Sequence, residues 1–600
     1  MAQSEPRLRT YPETLRHYAL LADGERGALI GPRGDVAFLC APRWHDDAVF
    51  SDLVGGRGTY VIRPVDDRFV WGGSYEVGSL VWRSRWVLGP EVVESREALV
   101  FPGDRERLVL LRRVEAVRGR AQVAVLLDCR AGFGSERMRL RRTDDGIWTG
   151  RTGSLQLRWS GVPDDSAVQV DHDGSAYVEM TLAEHEHHDL VLEISSAALR
   201  DDVPDVDRLW RLTEDAWSAA VPASPGSIAQ RDVRHSWAVL RGLTSADGAM
   251  VAAATTSLPE RSEAGRDYDY RYAWIRDQCF TGHAMAAAGG GPLLDQAVSF
   301  VRDRLLEDGA DLVPAYTVDG DPVPDQHVLD LPGYPGATKV YVGNHVRGQL
   351  QLDAFGEALL LFAAADHLDV LDADGWKAAE AAVDGITRRY EEADAGIWEL
   401  APRRWTHSRL MCAAGLRAVA GRRAERAAEW MGLADRIVAD TGRSCVHPHG
   451  RWQRAPDDQG VDAALLLPAV RGAVPADDPR SVATWRAVID ELTEDGYVYR
   501  FRHRAGPLAE AEGAFLLCGF HLALATHQQG DAYGAVRWFE RNRGALGPPA
   551  LFTEEFDVVQ RQLRGNLPQA FVHALLIETA HTLTTDTLTI DTGRDHAQRF

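Results

Sequence analysis

The chain has little that would tie it to redox, metal or membrane chemistry. Its six cysteines, Cys40, Cys129, Cys279, Cys412, Cys445 and Cys518, are scattered through 600 residues. They form no C-x-x-C pair and no zinc-like spacing, so reduced and mostly buried thiols are expected. No apolar run is long enough to span a bilayer, and Met1 to Thr10 is polar without an apolar signal core, which predicts a cytoplasmic protein with no membrane partner. Basic charge is short as well: 66 Lys and Arg against 88 Asp and Glu leave a formal net charge of -22. That balance argues against nucleic acid or an anionic membrane as the main partner, whereas a neutral ligand is indifferent to it. Tryptophan is the residue in excess, at 17. Sugars present C–H faces to aromatic rings, so the excess fits a carbohydrate site, although large cores also bury tryptophan.

Six hundred residues exceed what one core can organise, and the pattern changes character along the chain. From about Leu15 to Leu199, short apolar or alternating runs such as Thr59–Arg63, Leu108–Leu111, Gln122–Leu127 and Leu155–Trp159 are broken by glycine, aspartate and proline. They predict an all-β antiparallel sandwich over residues 1–201. Residues 202–226 read as a helical linker ending in a turn-rich joint. After Ser227, helical periodicity dominates. Leu352, Phe355, Leu359 and Phe362 recur at spacings of three and four, as do Leu294, Val298, Val301 and Leu305 between Pro292 and Gly309. Residues 227–587 therefore predict about a dozen helices, too many for one bundle and suited to pairing around an (α/α)6 barrel, with a polar tail over 588–600.

The helical part concentrates charged and aromatic residues between its helices. Glu399, in Asp394–Leu400, directly follows Trp398, and a carboxyl against apolar rings is a candidate proton donor. Arg276 and Asp277, closing the segment Arg266–Asp277, can hydrogen-bond two neighbouring hydroxyls, or simply cap a helix. Gly343–Asp353 feeds another helix. His407 suits either a hydroxyl contact or a local backbone carbonyl, and Glu512, before an apolar run, either chemistry or the positive end of a helix. Glu554 and Glu555, between Phe552 and Phe556, are candidates for a second carboxylate. A proton donor at Glu399 and a base at Glu554 would form an inverting pair, which requires a separation of roughly 6.5–9.5 Å.

In these segments the chain resembles glycoside hydrolase family 15, the glucoamylase, glucodextranase and trehalase group. The resemblance rests on Tyr18–Gly24 and Gly34–Arg43 early in the chain, then Thr255–Glu260, Tyr268–Asp277, Gly396–Glu399, Glu512–Phe515 and Thr553–Phe556, in that order. It implies an N-terminal β-sandwich, an (α/α)6 barrel and inverting exo-hydrolysis of a terminal α-glucosidic bond. It assigns Glu399 as general acid and Glu554 as general base, Arg276 and Asp277 to the non-reducing glucose, and Trp274, Trp398, Arg500 and His407 to the same pocket. The substrate expected is trehalose or a short α-gluco-oligosaccharide, with trehalose favoured. Glucoamylase or glucodextranase specificity, a catalytically silent sugar-binding protein and a polysaccharide lyase are the alternatives. The chemistry implied needs no cofactor or catalytic metal, while dependence on phosphate or Mg2+ and homo-oligomerisation are left open. Two stretches depart from the family: Ala41–Asp47, in a sandwich loop directed toward the barrel mouth, and Leu400–Arg404 after the acid.

Overall fold

Strand periodicity governs the first part of the chain: in Ala176–Leu182, buried and outward residues alternate, as in a sheet with one covered face. The computed structural model describes residues 8, 11–163, 168–200, 203–223, 226–503, 508 and 512–597, with side chains through 584. Two antiparallel sheets are built from sixteen strands between Ala19 and Ser195. One runs in the order Ala19–Ala22, Gly27–Ile30, Asp35–Cys40, Thr59–Pro64, Ala121–Asp128, Ala176–Leu182, Gln169–Val170, with Ala48–Phe50 paired beside Asp35–Cys40. The other runs Arg139–Arg142, Trp148–Thr152, Leu155–Ser160, His187–Ser195, Arg107–Arg118, Glu91–Leu99, Trp82–Leu88, Val70–Tyr75. Leu21, Ile62 and Val125 of the first sheet share a core with Leu110, Trp159 and Leu192 of the second. The expected boundary at 201/202 falls outside the described residues.

The segment read as a linker contains α1 (Val206–Ala220), capped by the Asp205 carboxylate accepting from Arg208 N. It is docked on the sandwich. Trp210 and Trp217 are buried, with Trp217 stacked on Phe101 at 4.0 Å and the Arg96 guanidinium over Trp210 at 4.2 Å.

Twelve helices follow among the described residues: α2 (Gln230–Leu243), α3 (Ile275–Ala287), α4 (Pro292–Asp308), α5 (Asp353–His367), α6 (Ala373–Arg389), α7 (Thr406–Ala420), α8 (Ala427–Ser444), α9 (Leu467–Val470), α10 (Pro479–Leu492), α11 (Leu516–Gln528), α12 (Ala532–Arg543) and α13 (Ala570–Ala597). Helix α3 packs on α5, α5 on α7, α7 on α9, α9 on α11, α11 on α13, and α13 on α3; α2, α4, α6, α8, α10 and α12 each pack on a member of that series. Leu352, at the N-cap of α5, and Phe355, Leu359 and Phe362 within it are fully buried, each worth about 1.5–3 kcal/mol of apolar burial. The backbone of α13 continues to Ala597. Residues 598–600 lie outside the described set. None of the helices searched among the described residues is long and apolar enough to cross a membrane, and the six cysteines are free and buried.

The interior enclosed by these helices is polar at one level. Asp353 and Glu357, one turn apart on α5, are fully buried with no direct hydrogen-bond partner on either side-chain oxygen. Burial pushes Glu357 up to about 8, against the opposing pull of Arg471, which pairs with Glu578 of α13. The folded state therefore holds the Glu357 proton more tightly than the unfolded chain. Its contribution lowers stability as pH rises from the ordinary carboxylate value toward 8, and vanishes below that value. Glu357→Gln should flatten the fall in melting temperature between about pH 5 and pH 8. An unchanged slope in a thermal-melt series would show that Glu357 is solvated and ordinary.

Candidate active site

Main-chain pairing fixes the segment that carries most of the site. Ala252 N donates to Tyr272 O (2.9 Å), Ala253 N to Tyr270 O (2.9 Å) and Ser257 N to Tyr268 O (2.8 Å). Ala273–Trp274 then pairs with Ala315–Tyr316 and runs directly into α3. Between the tyrosines, Asp269 and Arg271 form a fully buried ion pair at 2.7 Å. Arg271 Nη1 also donates to Asp46 O (2.7 Å) in the sandwich loop, while Gly343 N donates to Asp269 Oδ2 (3.1 Å). The loop 41–47 thus reaches this segment, and His45 stacks near Tyr272 with ring centroids 6.3 Å apart.

Glu399 sits in the irregular connection between α6 and α7. Asp394 pins this connection, accepting from Gly396 N (3.1 Å), Ser408 Oγ (2.8 Å) and the Arg409 guanidinium. Gly396 has φ +67, and a Cβ there would meet the Trp405 ring at 2.8 Å. Glu399 itself has φ +54, a left-handed conformation that costs a side-chain-bearing residue of order 1 kcal/mol and that is concentrated at functional sites. Its Oε1 accepts from Trp274 Nε1 (2.8 Å), Gln351 Nε2 (3.1 Å) and Arg276 Nη2 (3.4 Å). This corrects the expectation of a carboxyl walled by its sequence neighbour. Trp398 turns away, donating Nε1 to Asp462 Oδ1 (2.9 Å) and packing its ring on Phe515. The tryptophan that meets Glu399 is Trp274, through its N–H.

Glu554 and Glu555 enter a short strand, where successive side chains point to opposite faces. Glu554 Oε1 accepts from Tyr270 OH (3.2 Å). Glu555 turns inward, its Oε2 accepting from Gly513 N (2.7 Å). Tyr270 lies edge-on to Trp274, with ring centroids 5.5 Å apart. The two aromatics therefore connect Glu554 at one end to Glu399 at the other. Burial and the neighbouring carboxylates hold the Tyr270 phenol protonated, so it is the donor.

Trp274, Arg276, Asp277, Trp398, Glu399, Arg500 and Glu554 all line one recess. Arg276 donates to Gln351 Oε1 at 2.6 Å, and burial pushes Asp277 up to about 7 despite the adjacent guanidinium. Arg500 lies between Glu512, Glu260 (3.8 Å) and Glu555 (3.7 Å). His407 is not with them, which corrects its expected place in the pocket. It lines a small adjoining recess behind Trp398, with Trp405, Arg454 and Asp462. Burial lowers it to about 3, so it is neutral, because the first turn of α7 carries it under the connection instead of into the opening. Sequence reasoning missed Tyr270, Gln351 and Glu260. All three lie within segments it singled out, but a hydroxyl, an amide and a third glutamate carry no spacing signal of their own. Among the described residues, no group of three or more His, Cys, Asp or Glu side chains is arranged to hold a metal ion.

The profile of glycosyl hydrolases family 15 matches residues 238–581, and that of the trehalase-like N-terminal domain matches residues 10–208. A trehalase of Mycobacterium tuberculosis is 29% identical over 629 aligned positions, covering 96% of this chain and 90% of its own. Trehalase 1 of Sulfolobus acidocaldarius is 27% identical, covering 94% and 98%. Among solved structures, a bacterial glucoamylase complexed with acarbose superposes with a TM-score of 0.71 at 14% identity, covering 97% of this chain and 96% of its own.

Proposed function

The chain belongs to glycoside hydrolase family 15, and from that membership we propose that it is an inverting, exo-acting α-glucoside hydrolase that releases β-glucose, with trehalose as its substrate. The observation that carries this reading is that Glu399 and Glu554 line the same recess from opposite ends of the Tyr270–Trp274 pair. The domain reading that goes with it is a sandwich over residues 1–201, a joint over 202–226 and an (α/α)6 barrel from 227. The cyclic succession α3, α5, α7, α9, α11, α13 and back to α3 supports barrel closure.

On this reading Arg276 and Asp277 hold the hydroxyls of the non-reducing glucose at the floor of the recess, and Trp398 and Arg500 complete its wall. Glu399 gives its proton to the glycosidic oxygen as the C1–O bond breaks. Glu554, oriented by the Tyr270 hydroxyl, removes a proton from a water molecule that attacks C1 from the opposite face, so an α-linked sugar leaves as the β-anomer. Trp274, Gln351 and Arg276 stabilise the Glu399 carboxylate left behind. Trehalose is favoured over malto- or isomalto-oligosaccharides by the names of the relatives that align over nearly the whole chain.

Incubation with trehalose, maltose, isomaltose and dextran, followed by NMR of the anomer released, should give β-glucose first and the highest kcat/KM on trehalose. Initial α-glucose would sink the inverting mechanism, and absence of product from all four would favour a silent binder. Glu399→Gln and Glu554→Gln should each lower kcat by about 10²–10⁴-fold, the usual contribution of general acid–base catalysis, and full activity in either would remove that residue from its role.

Trp274→Phe keeps the ring and deletes the N–H that meets Glu399. A hydrogen bond to a charged group is worth about 1.5–3 kcal/mol, so kcat should fall roughly ten- to a hundredfold, with a smaller change in KM. An unchanged kcat would mean that this bond is absent in the reacting complex.

A further inference from the structure

Glu554 Oε2 is buried and meets no N–H or O–H donor. Its neighbour is another carboxyl, that of Glu260. The two side chains are within hydrogen-bonding reach of each other, and both approach Gly565: a Cβ built there would lie 3.7 Å from Glu554 Oε2 and 3.8 Å from Glu260 Cγ. Gly565 N is in turn bonded to Pro259 O at 3.0 Å, which ties the loop behind the base to the residue before Glu260. Two carboxylates in contact without a proton would repel and leave the oxygen of Glu554 unsatisfied; one proton between them removes both penalties. Glu260 is itself anchored, facing Arg266 Nη1 at 3.4 Å and Arg500 Nη2 at 3.8 Å, and it is only 3% exposed.

We infer that Glu260 is the positioning residue of the base: its carboxylate, held by Arg266 and Arg500, fixes Glu554 through one proton shared between the two carboxyls. The inference rests on the assignment of Glu554 as general base and extends it. In the resting site the proton lies on Glu554 and is accepted by Glu260. Ionisation releases that proton to solvent and leaves Glu554 free to take the next one from the attacking water, whose O–H bond breaks as its oxygen bonds C1. Burial raises Glu260 as well, but Arg500 and Arg266 favour its charged form, and its repulsion makes Glu554 a stronger base than an isolated carboxylate.

Several other groups bear on the pair. From the segment carrying Glu260 come Tyr268, Tyr270, whose hydroxyl meets Glu554, and Arg266. Arg500 and His503 come from the segment before Glu512, with His503 on Glu512 at 2.8 Å. Glu555 follows directly as the first residue of a short strand, and Glu399 faces Tyr270 from the other end of the aromatic pair. Burial, followed by the charge of Glu260, raises Glu554 well above the usual carboxylate range, while Arg500 opposes the shift.

The test is the pH profile of kcat/KM for trehalose in the full-length protein. In the wild type, the acid limb should lie above the ordinary carboxylate range. Glu260→Gln removes the repulsion but keeps the shape and a donor, so the limb should move down by about one pH unit or more. The plateau kcat should fall about threefold per unit as the base weakens, with little change in KM. An unmoved limb overturns the inference, as does a large rise in KM with the limb in place, which would make Glu260 a sugar contact. If Glu554→Gln retains turnover, the base assignment itself has failed; if that variant is dead and the Glu260→Gln limb is unmoved, only the role of Glu260 has. Should Glu260→Gln not fold, infrared difference spectra of wild type against Glu554→Gln decide. A carboxylic-acid carbonyl band that persists into neutral pH and is lost in the variant supports the shared proton, and its absence overturns it.

Discussion

The buried Asp269–Arg271 ion pair is the contact on which the site depends, because it locks two distant loops of the chain to one short segment. Arg271 takes the carbonyl of Asp46 from the sandwich loop, and Asp269 takes Gly343 N and, through its carbonyl, Asn344 Nδ2 from the loop ahead of α5. Tyr270, between the two partners, and Trp274, three residues beyond, are the ones that touch Glu554 and Glu399. Breaking a buried pair by removing one partner typically costs about 3–5 kcal/mol, since the remaining charge has no water to turn to. The sandwich is therefore more than an appended domain. Its loop 41–47 supplies the carbonyls that let an arginine be buried next to the site, although among the described residues none of that loop lines the recess.

Much of this was legible in the residues, and the failures are instructive. The periodic elements came through because burial enforces period: Thr59–Pro64 and Ala121–Asp128 are strands, and Pro292 opens α4 as a first-turn proline should. Glu399 stood out for an incomplete reason. Adjacency to Trp398 suggested an apolar wall, but a left-handed φ at Glu399 sends the two side chains apart, and no spacing rule announces a positive φ on a glutamate. His407 failed for a related reason, since a single residue on the first helical turn points either into the opening or under it, and the sequence cannot choose. Glu260 was invisible as a partner of Glu554 because their contact joins residues nearly three hundred positions apart through a glycine loop that only the fold brings between them.

The same fold buries several carboxyls at one level of the interior. Asp277, Asp353 and Glu357 project from α3 and α5 toward the interior, and burial raises all three. A carboxyl that stays protonated in the folded state costs less to bury than a carboxylate, and its O–H can serve as donor. Of the three only Asp277 lines the recess, beside Arg276; on the proposed reading a protonated carboxyl and a guanidinium there can both donate to and accept from hydroxyls.

Charge around the base follows a simple count. Glu260, Glu512, Glu554 and Glu555 surround two guanidiniums, those of Arg266 and Arg500. Four carboxylates would outweigh the two guanidiniums. Arg500 and His503 hold Glu512 down at about 2 against its burial, while burial and neighbouring carboxylates raise Glu260, Glu554 and Glu555. Glu555 faces the interior, whereas Glu554 faces the recess. Ionising the base on the proposed reading therefore adds one negative charge to the cluster, on the side of the recess where C1 acquires positive character as the glycosidic bond breaks. A fixed surplus of negative charge in a largely desolvated site stabilises that developing cation more than it stabilises a neutral sugar, and this difference lowers the barrier.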